Sequence, residues 1–182
     1  MRVNTEESGQ TLVEVALVLA VLCVFVFGII DFGRVVYDVE VMKNLAGEGS
    51  SMASRGTSPA TTATTVLTYA GADISLSTKG CVIVTGVAEN SAGTAQVVTA
   101  QSQAGECAST MTSAVGCLSG QGSCKTSAAT LPTSAANLLQ QGPAGTTLYV
   151  TEVFYTYNTI TPVPRFLASG VFPSQLYSAA YY

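Results

Sequence analysis

The sequence contains no histidine, so the usual general base and the commonest metal ligand are both missing. Charge is nearly as scarce. Only 10% of residues are Asp, Glu, Lys or Arg, and seven basic residues are scattered through a chain of net charge −4. Such a chain has no electrostatic footprint for phosphates, and no nucleic acid is expected as a partner. No C-x2-C pair occurs among the five cysteines, which with the missing imidazoles argues against a zinc site. Asp73, Glu89, Glu106 and Glu152 fall in no recognisable catalytic pattern. Nothing therefore supplies a nucleophile together with its base, and a pair of carboxylates is the one enzymatic alternative left. The expectation is a chain that is not an enzyme and takes no cofactor.

What the chain has instead is one long apolar run. Every residue in 12–30 is apolar or glycine except Glu14. At about 1.5 Å per residue the run spans roughly 28 Å, close to the hydrocarbon thickness of a bilayer. A secretory signal needs only about 7–15 apolar residues and a small-x-small cleavage site beyond them. Here the run is longer and is followed by Asp31-Phe32-Gly33-Arg34, so it reads as a retained membrane helix. An acidic group near the bilayer interior costs about 2.5–3.5 kcal/mol. Glu14 must either lie near enough to the end of the span to reach headgroups or find a partner. Ala16 and Ala20 offer a small-xxx-small face to another helix, and Cys23 packs as a small hydrophobe. The basic residues do not fix orientation, since Arg2 opposes Arg34 and Lys43.

The remaining cysteines, Cys81, Cys107, Cys117 and Cys124, all follow the helix, an even number in a polar segment of low charge. That pattern points to disulfides in an exported domain. Four cysteines permit three connectivities. Short spacing and the nearby Gly116, Gly120 and Gly122 favour Cys117 with Cys124, leaving Cys81 with Cys107.

Taken in order, residues 1–8 are polar and the helix starts near Thr11. It continues past the span, because Phe32, Val35, Val36, Val39, Met42, Leu45 and Ala46 recur as a helical stripe. Asp31 with Arg34, Arg34 with Asp38, and Glu40 with Lys43 are spaced to pair along it. The helix is expected to end at Ser50 or Arg55, stopped by Gly47, Gly49 and Gly56. Residues 59–69 fit a second short helix, with Ser58 as cap and Pro59 in its first turn. Residues 81–88 (CVIVTGVA) read as a buried strand, with 95–100 as its hairpin partner. Residues 101–146, rich in Ser, Gly and Ala and holding three cysteines, read as a disulfide-stapled loop insertion. Residues 147–157 (TLYVTEVFYTY) are the strongest strand signal. Alternation places Leu148, Val150 and Phe154 on one face and Tyr149, Val153 and Tyr155 on the other, both of them covered. Pro162 and Pro164 stop that strand, and 175–182 forms the last one. The fold class is thus α+β: a long N-terminal transmembrane and amphipathic helix, then a small antiparallel β-sheet domain with a disulfide-stapled loop region.

The string Gly9-Gln10-Thr11-Leu12-Val13-Glu14 resembles the processing site of type IV prepilins, in which a glycine and a cut precede a hydrophobic helix with Glu at its fifth position. The wider block of Ile-x-Asp-Phe-Gly-Arg and then Asn44-Leu45-Ala46-Gly47-Glu48-Gly49 is similar to the TadE-like family. Its members are minor pilins, or pseudopilins, of tight-adherence (Tad/Flp) pili. The resemblance implies a leader at residues 1–9, a helix at 10–55 and an exported domain at 56–182. It also implies cleavage by a prepilin peptidase between Gly9 and Gln10, and a carboxylate at Glu14 that pairs with a neighbouring subunit's new amino group. The implied partners are other pilin subunits met through the N-terminal helix. The implied route runs from the bacterial inner membrane to an extracellular pilus that serves adherence and biofilm formation. The leader departs from the family in carrying Arg2 against Glu6 and Glu7. A surface-anchored binding domain that does not polymerise is the alternative, since it needs the same helix but neither Glu14 nor a cut at Gly9.

Overall fold

A single helix, α1 (Thr5–Ser54), carries the chain from the apolar run into a sheet-bearing domain. The structure, a computed structural model, describes residues 5–70, 74–91, 93, 95–118, 127–161 and 172–182. Among the described residues, three further helices and four strands follow in the order α2 (Pro59–Tyr69), α3 (Leu76–Lys79), β1 (Gly80–Glu89), β2 (Gln96–Gly105), α4 (Thr133–Gln141), β3 (Thr147–Thr156) and β4 (Gln175–Tyr181). Chain contacts divide them into two units. One comprises Met1–Tyr37 with Asn158–Ser174, the other Asp38–Tyr157 with Gln175–Tyr182.

The helix begins earlier than expected, at Thr5 rather than near Thr11, because the polar residues before the run carry no proline to stop it. Its end falls within the expected range, but Gly47 and Gly49 do not cause it. Both lie inside the helix. The turn comes at Gly56, whose φ of 97° suits a residue without a Cβ, with Gly56 N–H bonded to the Ala53 carbonyl at 3.0 Å. Gly49 is where the helix meets the sheet. A Cβ built there would lie 2.8 Å from Thr151 Cγ2 and 3.0 Å from Val66 Cγ2. Next to it, the Ser50 hydroxyl accepts from Thr151 N–H at 3.0 Å and donates to the Ala180 carbonyl at 2.8 Å. It thereby bridges β3 and β4. α2 starts as its sequence dictates, with Ser58 Oγ accepting from Thr61 N–H and Pro59 needing no partner.

The sheet in the second unit has the order β2-β1-β3-β4, with every neighbouring pair antiparallel. β1 is central and buried from Cys81 to Ala88, which its run of valines and isoleucine requires. Register pairs Cys81 with Phe154, Ile83 with Glu152, Thr85 with Val150 and Val87 with Leu148 on one face. Val82, Val84, Thr151 and Val153 share the other face with the buried α1 row Met42, Ala46, Ser50 and Ala53 and with Thr62, Ala63 and Val66 of α2. Each fully buried valine contributes about 1.5–3 kcal/mol. The expected division of β3 between two covered faces is therefore observed.

The stretch 101–146, expected as loop, contains the second half of β2 and all of α4. β2 runs to Gly105 because β1 offers a continuous ladder of partners up to Cys81, although AQSQAG has little strand propensity of its own. α4 buries Ala135 and Leu139, four residues apart, in a cluster with Val87, Val115, Leu148 and Val150. A second cluster joins Cys81, Ile83, Met111 and Phe154. The Cys81–Cys107 disulfide, with Cα atoms 4.8 Å apart, ties the start of β1 to the chain just beyond β2. Cys117 is also disulfide-bonded. Cys124, its expected partner, lies outside the described residues, as do Asp73 and the expected stops Pro162 and Pro164.

Candidate functional site: the exposed apolar helix and the carboxylates behind it

The side chains of α1 from Leu12 to Tyr37 are largely bare. Leu12, Val13, Leu17, Phe25, Ile29 and Phe32 are each more than 60% exposed. Contiguous apolar surface of this extent marks a membrane or a partner, and the helix is long and apolar enough to cross a bilayer. Glu14 lies on this surface, exposed and without a hydrogen-bond or ion-pair partner among the described residues. Gly9 and Gln10 are exposed within the same helix, and a Cβ at Gly9 would meet nothing within 4 Å. Gln10 and Glu14 are one turn apart, so their side chains share a face. Ala16 and Ala20 are also exposed, while Cys23 is a half-buried free thiol. Farther along, Glu40 and Lys43 form the expected surface pair at 3.7 Å, of a kind worth under about 1 kcal/mol.

Two other carboxylates are treated oppositely. Asp31, at the end of the run, is fully buried. It accepts Ile160 N–H at 3.1 Å and forms a short hydrogen bond with the Thr161 hydroxyl. Both partners belong to the same unit as Asp31, so the carboxylate fastens the base of the apolar helix to the segment that leaves β3. Glu152, in the middle of β3, has no exposed surface. It accepts Ala114 N–H at 2.8 Å and the Tyr177 hydroxyl at 2.9 Å, and makes a short hydrogen bond with Ser113. Burial first, and then the neighbouring carboxylate, raise the Tyr177 hydroxyl well above its ordinary value. The same two causes raise Tyr181. Protonated Tyr177 is thus held as a donor, with its ring 4.9 Å from that of Phe154.

Glu14 is legible in the sequence because one acid in an apolar run stands out locally. Glu152 and the acceptor role of Asp31 are not, since their partners lie 25–39 and 129–130 residues away. The only signal available was an acid at an inward position of a strongly apolar strand. No group of His, Cys, Asp or Glu among the described residues is placed to hold a metal ion.

Residues 9–51 match the family model described as TadE-like protein, the family that the opening block resembles. No curated protein and no solved structure matches. The matched segment contains Gly9, Gln10, Glu14 and Asp31 and ends at the point where α1 meets the sheet. At the level of the family, it supports involvement with Tad pili.

Proposed function

We propose that the chain is a pilin-like structural subunit, in the manner of a minor pilin, of a Tad-type pilus, and not an enzyme. The observation that carries this reading is the bare apolar face of α1 interrupted by Glu14, inside the segment matched by the family. α1 first holds the subunit in the bacterial inner membrane. A prepilin peptidase cuts between Gly9 and Gln10, and the new amino group then lies one turn from Glu14. On assembly the apolar face exchanges lipid for the helices of other pilin subunits, and Glu14 pairs with a neighbour's amine. The sheet domain is carried outward on the pilus, where it serves adherence and biofilm formation.

The test is Glu14→Val. A plain anchor gains stability when an intramembrane acid, costing about 2.5–3.5 kcal/mol, is removed. A subunit that uses the carboxylate on assembly loses a contact made only there. The expected outcome is normal insertion and normal cleavage with at least about tenfold less protein in the sheared filament fraction, since losing about 1.4 kcal/mol is a tenfold change. Glu14→Gln should behave similarly. Wild-type incorporation of Glu14→Val would remove the carboxylate from assembly. Absence of any filament fraction for the unaltered chain would favour the surface-anchored binding domain.

A further inference from the structure

At the end of the apolar run, burial is the reverse of what water would select. From Ile29 to Arg34, Asp31 is the one buried residue, while Ile29, Ile30 and Phe32 are half exposed or more. A helix in water covers its apolar residues and leaves an acid bare. Lipid inverts that preference, because a carboxylate facing hydrocarbon is costly and an apolar side chain is not. The cover comes from the chain leaving β3. Ile160 donates its N–H to Asp31 at 3.1 Å, and the Thr161 hydroxyl bonds to the second carboxylate oxygen. All three residues belong to one unit. Ile160, having turned its backbone to the acid, leaves its own side chain 59% exposed.

The hydrogen bonds to Asp31 also fix depth. A run of nineteen residues at about 1.5 Å each nearly fills a hydrocarbon layer about 30 Å thick, and each interfacial layer beyond it is about 5–8 Å deep. Asp31 stands one residue past the run, and helical side chains lean toward the N-terminus. Its carboxylate therefore lies at the hydrocarbon boundary when the run is centred in the bilayer. A backbone N–H within 3.1 Å of that carboxylate lies at the same level. The composition suits this position, since the sequence 153–182 has one charged residue, the cation Arg165, and no acid to repel lipid phosphates.

We propose that residues 159–161 form a second lipid contact, a cap that screens Asp31 from the acyl chains and seats the Ile160 side chain in the interfacial layer at the C-terminal end of the span. The occupant is the bilayer that α1 crosses, because the bare side chains of Ile29, Ile30 and Phe32 continue the apolar run to the level of the cap. Asp31 is a positioning residue: it touches no lipid itself and holds Ile160 where lipid is. The inference rests on the reading of α1 as a membrane span. It uses neither Glu14 nor a cut at Gly9, so its failure and the failure of the pilus reading are separate events.

The chain contains no tryptophan, so a single introduced one reports its own surroundings. The full chain is placed in vesicles of phosphatidylethanolamine and phosphatidylglycerol whose acyl chains carry bromine either near the headgroup or near the chain end. Ile160→Trp should lose fluorescence chiefly to the shallow bromines. Phe25→Trp, within the run, should lose it chiefly to the deep ones. Leu138→Trp, on α4 and also 59% exposed, should lose it to neither. Adding Asp31→Ala should abolish the shallow quenching of Ile160→Trp and leave the deep quenching of Phe25→Trp unchanged. Should Asp31→Ala fail to fold, Thr161→Val removes one of the two donors and should weaken the shallow quenching. An Ile160→Trp signal quenched no more than that of Leu138→Trp, beside deep quenching of Phe25→Trp, would overturn the cap alone. So would shallow quenching that survives the loss of Asp31, or a blue-shifted Ile160→Trp emission that no bromine quenches, which would mean that protein covers the site. A Phe25→Trp signal that deep bromines leave untouched would overturn the span and the cap together.

Discussion

Glu152 has no exposed surface and three donors, the Ser113 and Tyr177 hydroxyls and Ala114 N–H. Through them one side chain fastens the 113–115 turn and β4 to the middle of β3. Glu152→Ala would strand all three donors in a region of low dielectric. Hydrogen bonds to a charged group contribute about 1.5–3 kcal/mol each and are not additive, so a loss of about 3 kcal/mol is expected, read as a fall in the urea midpoint. Glu152→Gln should cost about 1 kcal/mol, because its amide oxygen can still accept from Ala114 and Tyr177 while Ser113 rotates to accept from the amide nitrogen. Equal midpoints for the Ala and Gln variants would show that the fold does not depend on this acceptor. Glu14 is the opposite case, exposed on an apolar helix with no described partner. The two acids are chemically alike. One is satisfied inside the fold, and the other is exposed with no partner among the described residues.

At the level of elements, the join between α1 and the sheet rests on a missing Cβ. Gly49→Ala would place a methyl group 2.8 Å from Thr151 and 3.0 Å from Val66, and both of those side chains are buried. Overpacking of this kind costs about 1–3 kcal/mol, more than the roughly 1 kcal/mol that alanine adds to a helix. Gly47→Ala meets nothing within 4 Å and should stabilise. Thermal melts of the two variants, shifting in opposite directions, are the check. From sequence both glycines look like helix stops, because what distinguishes them is Thr151, about a hundred residues away. The elements that were legible carry their cause locally. Ser58 and Pro59 announce α2, β-branched and aromatic residues announce β1 and β3, and nineteen nearly uninterrupted apolar positions announce the span. The second half of β2 and all of α4 were not legible, since small polar residues take their structure there from β1 and from the Val115 cluster. Of the candidate site, the apolar helix and Glu14 could be read directly, whereas Asp31 and Glu152 acquire their partners only on folding.

On the scale of the whole molecule, the chain combines a domain whose buried carboxylate is satisfied with a helix whose apolar surface is not. Such a helix is stable in lipid or packed against other helices, and the function proposed above needs it to pass from one to the other. On that proposal, cleavage after Gly9 would prepare the passage: it would remove Arg2, Glu6 and Glu7, free an amine on Gln10 and leave Glu14 one turn away, where acid and amine could pair between subunits. The position is open to attack. Gly9 and Gln10 are exposed, no group lies within 4 Å of where a Gly9 Cβ would be, and glycine weakens a helix by up to about 1 kcal/mol, which favours the local unwinding that a peptidase requires. The expected outcome is that protein recovered from its own membrane has an intact mass lacking Met1 to Gly9, with Gln10 at the amino terminus. The same mass should be found in the filament fraction, and full-length chain should accumulate only where the peptidase is inactive. A full-length species persisting beside an active peptidase would separate this chain from processed pilins and leave α1 as a permanent anchor.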